Sequence, residues 1–592
     1  MTGPSARTLA HELAARDDRS LAALLLARHV SPAAHWNDAF DAAEQLLDPT
    51  SIARALVDLT AAEADALEAA TAASAAPAAT ATAAEPGPAR DVLVARGLLD
   101  ADGRVWESVA DTFRATSRVA VLSPTTAPTP ERTPIGENAA DAASAERAFT
   151  ATASLADVLH AALVAPLGRI GAGTLGAADR RRLIDTGAVE DAAAADDLVA
   201  IGQSAGLLAP EGRALLVTPA GIDWLGGSTA ARWSAVAARL IAGLPAGLRT
   251  AAGGWLAAPA WPGAYPFDPA WPARADELAG LLRRWAIVDG AGEPTVWMRR
   301  AAAGDAPDAA ALAALLPPEV DRVYLQNDLT AIAPGSLAPH LDLRLRSMAR
   351  RESRAQASSY RFTAETLADA LTAGETADSL RAFLLELSLT GLPQPLAYEI
   401  ERSASRHGTL RVGQDGSGRT RVTSDDAAML QTIAVDQALR PLGLIPDGDA
   451  LITRSSADTA FWMIADARYP IVAVDADGAR RPLERHRLAA PPEPEADPVE
   501  VYADLLARLR AAQSEDADAA WLGRELEQAV RTRATITVTV RLPASPDEDQ
   551  GAERSFTIEA TGLGGGRLRG LDRTVDVERT LPVSSIVRVG PA

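Results

Sequence analysis

Apolar and polar positions in the first block of the chain repeat with helical spacing. The run IARALVDL follows Ser51, which we expect to cap it, and Thr60 with Glu63 forms a capping-box pattern at the start of TAAEADALEAA. A third predicted helix, residues 91–96, leads into GLLDADGRVWES, where the pair Asp102-Gly103 is a strong hairpin signal. Helices followed by a hairpin in this order predict a winged-helix-like unit.

The same glycine pattern returns later in the chain. Gly97-Leu98-Leu99 with Gly103-Arg104 has the spacing of Gly206-Leu207-Leu208 with Gly212-Arg213, and looser copies begin at Trp285 and Gly443. The repeat predicts tandem winged-helix-like units in the N-terminal half. The alternative is that this pattern marks any helix C-terminus that precedes a hairpin. Winged-helix units also serve in protein contacts, so the repeat alone does not indicate DNA binding.

Tryptophan is concentrated between residues 253 and 297. Five occur there, and two of them precede a proline: Trp255, Trp261, Trp271, Trp285 and Trp297. Aromatic side chains beside proline could form a stacking platform for bases. We favour burial in a helical core instead, because tryptophan is largely buried in most proteins.

From Asp321 onward the pattern becomes mixed. VYLQNDLTAIAP is rich in strand formers, and LDLRLRSMARRESR is predicted to be a basic helix. Thr363 and Thr376 are placed to cap two further helices, Pro395 begins another, and residues 410–412 start a strand. This stretch therefore predicts a central α/β domain.

The C-terminal block combines one or two helices with short strands. ATITVTVRLP alternates with period two, and PASPDEDQGAE separates it from the return strand SFTIEA. GLGGGRLRGLD and PVSSIVRV add further strands, which together predict a small SH3-like β-barrel. The glycines at 564–566 do not form a phosphate loop, because no helix follows them.

Low-complexity sequence separates these blocks. Thr71–Arg90, Ser123–Arg147 and Ala489–Glu500 hold too few large apolar side chains to fold alone. We therefore divide the chain into an N-terminal helical, winged-helix-like domain (1–120), a linker (121–147), a second winged-helix-like and Trp-rich helical region (148–300), the α/β domain (315–488), a linker (489–500), and a helix with the small barrel (501–592). The predicted fold class is a multi-domain, α-rich protein.

Two residue types are missing from the chain. It contains no cysteine and no lysine, so all 57 basic residues are arginine. The lack of cysteine excludes disulfides, thiolate nucleophiles, cysteine-zinc sites and iron–sulfur clusters. The lack of lysine excludes Schiff-base chemistry, a P-loop and the lysine of protein kinases.

Charge and hydropathy restrict the partners. The formal net charge is −21, which repels polyanions at long range, so any nucleic-acid contact must come from a local basic patch. No apolar stretch reaches the length of a membrane span, and residues 1–16 lack the features of a signal peptide. We expect a cytoplasmic protein that can associate with the nucleoid and that has no membrane partner.

One such basic patch is present. Six arginines accompany the single acid Glu352 between residues 344 and 361, a local net charge of +5: Arg344, Arg346, Arg350, Arg351, Arg354 and Arg361. Guanidinium groups fork two donors onto phosphate oxygens, which makes this the candidate nucleic-acid site. On a helix, residues 346, 350 and 354 share one face. The alternative is a charged helix face that pairs with acids of a neighbouring domain.

The segment that follows carries a family resemblance. An ordered string of residues extends over about fifty positions: Tyr360-Arg361-Phe362-Thr363, Ala370-Leu371, Gly374, Leu384, Leu387, Ser388, Thr390-Gly391, Pro393, Ile400 and Gly408 before LRV. It resembles the N-terminal domain of XPB-type DNA-repair helicases, and looser similarity extends to about Val474. The whole chain is similar to actinobacterial helicase-associated proteins that carry this domain without a motor. The resemblance implies a binding or accessory role near DNA, with a helicase or another DNA-repair protein as a partner.

The chain departs from the helicases in its motor motifs. Neither G-x-x-x-x-G-K-[ST] nor a convincing D-E-x-H box is present, so nucleotide hydrolysis is not carried over. The C-terminal block resembles the WYL-type domain of bacterial regulators, with GGGRLRGLDR at the signature position. Tryptophan and tyrosine are absent from that signature, which weakens any sensing role.

Other catalytic patterns are also missing. H-E-x-x-H spacing and G-x-S-x-G do not occur, and the seven histidines suggest no metal site. We therefore predict no enzymatic activity, no cofactor and no bound metal.

Three functions remain open. The first is a non-catalytic, helicase-associated DNA-binding or adaptor protein of DNA repair. The second is a WYL-type, ligand-responsive transcriptional regulator, and the third is a protein–protein scaffold without nucleic acid.

Overall fold

The structure is a computed structural model, and the residues that it describes form five hydrophobic cores along the chain. It describes residues 6–74, 86–119, 134–171, 173–354, 357–415, 418–475, 477–481, 483, 487–491, 496–513, 517–542, 553–573 and 575–591. About half of the chain is helical, and the strands form several small sheets. The multi-domain, α-rich class predicted from the sequence is confirmed.

The N-terminal block is a bundle of helices. They are α1 (Ala6–Ala15), α2 (Asp18–Ala27), α3 (Ala39–Leu46), α4 (Pro49–Val57), α5 (Ala61–Ser74), α6 (Pro88–Ala95) and α7 (Glu107–Ala115). Thr60 and Glu63 form the predicted capping box, each side chain bonding the other's backbone amide. The cap of α4 is Asp48, which accepts from the Thr50 amide at 2.8 Å, so the prediction of Ser51 was wrong by three residues.

The middle block alternates helices and strands. Its elements are α8 (Pro134–Val164), β1 (Leu167–Ile170), β2 (Thr174–Leu175), α9 (Ala177–Asp185), α10 (Ala192–Ser204), β3 (Leu208–Glu211) and β4 (Ala214–Val217). The strands form an antiparallel sheet in the order β2-β1-β4-β3. Helix α8 corrects the predicted linker 121–147 from Pro134 onward, because alanine-rich sequence there forms helix and buries Ser144 and Ala145. Residues 121–133 of that linker lie outside the described residues.

The tryptophan-rich region completes this core. It contains α11 (Pro219–Gly226), α12 (Thr229–Ala242), α13 (Trp271–Arg284), α14 (Arg299–Ala302) and α15 (Ala309–Ala313). Trp233 and Trp285 exchange hydrogen bonds, each indole N–H donating to the other's carbonyl at 2.7 and 3.0 Å. All five tryptophans between residues 253 and 297 are buried, so they belong to the core.

The repeated glycine pattern marks a tight turn. The Asp100 amide donates to the Arg104 carbonyl at 2.9 Å, and the Asp100 carboxylate accepts from the Arg104 amide at 2.7 Å. Asp289 and Glu293 repeat this arrangement, and in both turns the third residue after the aspartate is a glycine with positive φ. The turns at 99–105 and 288–294 close with single β-bridges, whereas residues 208–217 form a two-strand hairpin. The hairpin predicted in the first block is therefore only one bridge.

The predicted α/β block contains two separate cores. The first has β5 (Tyr324–Leu325), β6 (Thr330–Ala333), α16 (Pro339–Met348), β7 (Arg350–Arg354), β8 (Ser358–Arg361), α17 (Ala364–Thr372), α18 (Ala377–Leu387) and α19 (Gln394–Arg406). The second has β9 (Leu410–Gln414), β10 (Thr420–Ser424), α20 (Ala427–Val435), β11 (Ile445–Asp447), β12 (Ala450–Thr453), α21 (Ala457–Asp466) and β13 (Ile471–Ala473). Their sheets have the orders β5-β6-β8-β7 and β11-β12-β10-β9-β13.

The C-terminal block is an open sheet backed by a helix. It contains α22 (Pro498–Val501), α23 (Ala503–Ala511), α24 (Ala517–Thr532), β14 (Thr535–Arg541), β15 (Glu553–Gly564), β16 (Arg567–Asp572), β17 (Val577–Pro582) and β18 (Ile586–Pro591). The antiparallel order β17-β16-β15-β14-β18 leaves β17 and β18 as edges, so within the described residues the predicted barrel does not close. Leu522 and Leu526 of α24 pack on the sheet, which therefore buries its apolar face without closing.

Candidate nucleic-acid interface

The predicted basic helix ends earlier than expected. Helix α16 stops at Met348, the backbone of Ala349 is extended, and β7 begins at Arg350. Met348 and Ala349 are buried, and β7 pairs with β8 through Arg351 opposite Tyr360. Strand pairing outweighs the helical propensity of this segment. The helical face predicted for residues 346, 350 and 354 was therefore wrong.

Two of the six arginines converge on one buried carboxylate. Arg346 Nη1 lies 2.7 Å from Asp157 Oδ1, and Arg351 bonds the other oxygen of the same group. Asp157 lies on α8, and its side chain is only 3% exposed. Arg346 also lies 3.6 Å from Asp342, which accepts the hydroxyl of Tyr360 at 2.6 Å. This Asp157 cluster joins the middle block to the sheet of β5–β8.

The buried surroundings shift the pKa values of three groups in and near the cluster. Burial alone would lower the pKa of Arg351, but the carboxylates of Asp157 and Asp342 outweigh burial and raise it. Burial, aided by Asp342, raises the pKa of Tyr360 far above its usual range, so its hydroxyl stays a donor. Arg232 is close enough to Asp342 and Asp157 to interact with both, and burial lowers its pKa to about 10. The guanidinium groups of Arg351 and Arg232 therefore remain charged at neutral pH.

The other arginines lie nearer to solvent. Arg344 pairs with Glu375 at 3.0 Å and lies 4.4 Å above the ring of Phe383. Arg361 pairs with Glu352 at 2.6 Å. Arg350 is exposed. The side chain of residue 354 lies outside the described part of the structure.

Folding reduces the charge of the candidate site. Asp157, Asp342, Glu352 and Glu375 contact the arginines directly. Six cations against these four carboxylates leave +2, compared with +5 along the sequence. The sequence alternative, pairing with acids of a neighbouring domain, holds for Arg346 and Arg351. Asp157 is 189 positions from Arg346, so no local signal could have identified it.

Helix α10 offers no basic surface either. It is the second of the two helices before the β3–β4 hairpin, the position that enters the DNA groove in many winged helices. Its sequence AAAADDLVAIGQS contains two acids and no cation. Arg180 pairs with Asp196, and Arg284 of α13 pairs with Asp197 and Glu190. This helix is therefore poorly suited to phosphate contact.

Among the residues that the structure describes, no cluster of three or more His, Asp or Glu side chains could hold a metal ion. An open cavity of about 570 Å³ between α1 and α6 is lined by Glu12, Arg16 and Arg90. Arg16 donates there to the carbonyls of Val94 and Ala95, so it caps α6. Within the same described ranges, no helix has both the length and the apolar character to cross a bilayer.

Comparison with known proteins places one family on this region. Residues 323–446 match the helicase conserved C-terminal domain family. The match begins one residue before β5 and ends in β11, so it covers the first core of the α/β block and only the first part of the second. No curated protein matches the chain. The match supports a helicase-associated protein, and the likenesses to an XPB-type N-terminal domain and to a WYL-type domain remain predictions.

Proposed function

We propose that this protein is a non-catalytic, helicase-associated adaptor that acts through protein contacts. The observation that carries the proposal is the pairing of the predicted DNA-binding arginines with carboxylates of the fold. The proposal includes three finer points. The α/β block resembles an XPB-type N-terminal domain, the C-terminal block resembles a WYL-type domain, and the middle block has winged-helix character.

Charge supports an adaptor over a DNA reader. Arg346 and Arg351 already bond Asp157, and exchanging that contact for phosphate would leave a carboxylate buried without its partners. Helix α10 has no cation, and the whole chain has a net charge of −21. A DNA surface would need a dense row of accessible cations, because phosphate contacts supply most of the affinity.

A second candidate is DNA binding through the accessible arginines. Arg344 lies within α16, whereas Arg350 and Arg361 lie directly opposite each other on two paired strands. Three accessible cations could hold a short stretch of backbone. Their neighbours Glu352 and Glu375 oppose this, so the candidate ranks second.

Fluorescence anisotropy with labelled duplex, forked and single-stranded DNA tests the proposal. An adaptor of this charge is expected to bind no form more tightly than ordinary non-specific binding, about 10⁻⁴ to 10⁻⁶ M at physiological salt. Tight, salt-dependent binding that is lost in the triple variant Arg344→Ala/Arg350→Ala/Arg361→Ala would favour the second candidate. Binding to one promoter sequence alone would favour a transcriptional regulator.

The absence of a motor is tested separately. The proposal predicts no ATP hydrolysis above background, with or without DNA, because no lysine can grip the phosphates. DNA-stimulated hydrolysis by purified protein would refute it.

A further inference from the structure

The family-matched region exposes an unusual group of large apolar side chains. Tyr324, Leu385, Leu389 and Tyr398 are 44%, 54%, 52% and 65% exposed. Single exposed apolar residues are common, but several together indicate an interaction surface. We call these four residues the apolar patch.

Backbone geometry places two of the four residues side by side. Val323 bridges Ser388 in parallel, and the Leu389 amide donates to the Val323 carbonyl at 2.9 Å. Tyr324 and Leu389 are thus the next residues along two adjacent parallel segments, and both are exposed. Leu385 lies four residues before Leu389, near the end of α18.

The fourth residue, Tyr398, lies on the neighbouring helix. Arg381 of α18 pairs with Glu401 of α19 at 2.9 Å, and a six-residue loop connects the two helices. Such a short connection makes them antiparallel neighbours. Leu385 is one turn after Arg381 and Tyr398 is one turn before Glu401, so both lie on the loop side of the ion pair.

The rim of the patch carries both signs of charge. Arg381 also pairs with Asp378 at 3.0 Å, and Arg402 pairs with Glu399 at 3.1 Å. Asp378 is 93% exposed and Arg402 is 50% exposed, so each is open to a partner. A strongly basic or strongly acidic partner would meet like charges on part of this rim.

We propose that the apolar patch binds a second copy of this chain. A surface with an apolar, tyrosine-containing centre and a rim of both signs is complementary to itself about a two-fold axis, because acids of one copy can face arginines of the other. The dimer presents two helicase-type regions, which raises the effective concentration for any partner with repeated sites. This inference goes beyond the proposed function, since an adaptor could equally be a monomer.

Sedimentation velocity on the full chain tests the dimer. We expect a monomer–dimer equilibrium with a dissociation constant of about 1–100 µM, as for interfaces at the small end of the range. The measurement belongs at about 0.3 M NaCl, where the charge repulsion between two −21 chains is screened. Leu385→Glu and Tyr398→Glu should each weaken association at least tenfold.

The matched control is Val435→Glu. Val435 is 77% exposed at the end of α20, a helix of the second core of the α/β block, and the substitution adds the same charge. It should leave the equilibrium unchanged. A chain that stays monomeric at about 0.2 mM overturns the proposal, because a weak dimer would be populated there. So does a dimer that survives both patch substitutions, or one that Val435→Glu disrupts equally. DNA titrations do not enter this result, so it stands apart from the test of the adaptor.

Discussion

At the scale of single residues, the chemistry of the candidate site is decided by Asp157. This carboxylate is buried and takes one arginine from α16 and one from β7. The six arginines were visible in the sequence, but their partner was not, because only tertiary packing brings α8 beside β7. Sequence could therefore predict the cations and could not predict whether they are available.

Asp157→Asn is expected to destabilise the protein strongly. Neutralising this buried carboxylate leaves Asp342 as the remaining acid beside Arg346 and Arg351, and breaking a buried ion pair costs about 3–5 kcal/mol. Urea denaturation followed by circular dichroism measures the free energy of unfolding. Asp378→Asn, which removes a carboxylate that is 93% exposed, should change it little. Similar stability of both variants would mean that the Asp157 cluster contributes little to the fold.

His407 gives a second residue-scale prediction. It is 7% exposed, and burial together with the nearby charge of Arg480 lowers its pKa to about 4. In the unfolded chain the pKa of this histidine is near the ordinary value of about 6.5. Between about pH 6.5 and pH 4 the unfolded chain therefore binds a proton that the folded chain does not bind. Stability from this residue is full above pH 6.5 and falls as the pH drops towards 4.

The difference between wild type and His407→Gln isolates this contribution. Glutamine does not titrate, so the free energy of unfolding of the variant should fall less between pH 7 and pH 5, by about 1–2 kcal/mol. Urea midpoints at several pH values provide the measurement. Parallel pH profiles for the two proteins would show that His407 is not buried as a neutral ring.

At the scale of elements, local signals were dependable where the partner is local. Thr363 and Thr376 cap α17 and α18 as predicted, each with a reciprocal bond to the third helical residue. The helix predicted for residues 350–354 was wrong, because the pairing of this strand with β8 is a tertiary contact. The prediction of a closed C-terminal barrel was wrong for a similar reason: the helix that packs on the sheet covers its apolar face, so the sheet does not need to close.

Thr363 offers a direct test of the capping account. Thr363→Ala removes the side-chain acceptor for the Thr366 amide and should lower the free energy of unfolding by about 1 kcal/mol. Thr363→Asp keeps an acceptor at the same position and should stay close to wild type. Thermal or urea unfolding of both variants gives the comparison. An equal loss in both would indicate that the hydroxyl acts outside the cap.

At the scale of the whole molecule, distant parts of the chain pack together. Tyr502, Leu505, Leu509 and Trp521 join the core of the N-terminal helices. Arg510 pairs with Asp18 at 2.9 Å. The first residue of the linker predicted at 489–500 takes part in the fold, since the Ala489 amide donates to the Val217 carbonyl at 2.9 Å. Residues 492–495 lie outside the described residues. Composition identified this stretch as polar and proline-rich, but it could not show which surface receives it.

The same scale determines the function that we propose. Folding lowers the charge of the arginine segment by bringing three further carboxylates to it: Asp157 of α8, Asp342 of α16, and Glu375, which lies just before α18. The DNA-binding site that was expected from the sequence is thereby largely neutralised. The helicase-type region keeps an exposed apolar surface, which suits a protein partner better than a polyanion.

Removing the carboxylates of Glu352 and Glu375 tests this central claim most directly. In Glu352→Gln/Glu375→Gln, Arg344 and Arg361 lose their acidic partners and become available to phosphate. Anisotropy with duplex DNA should then show salt-dependent binding that is absent from wild type, with a slope of log K against log salt set by the number of phosphates contacted. Wild-type protein that already binds with that slope, and is unchanged by the substitutions, would contradict the account.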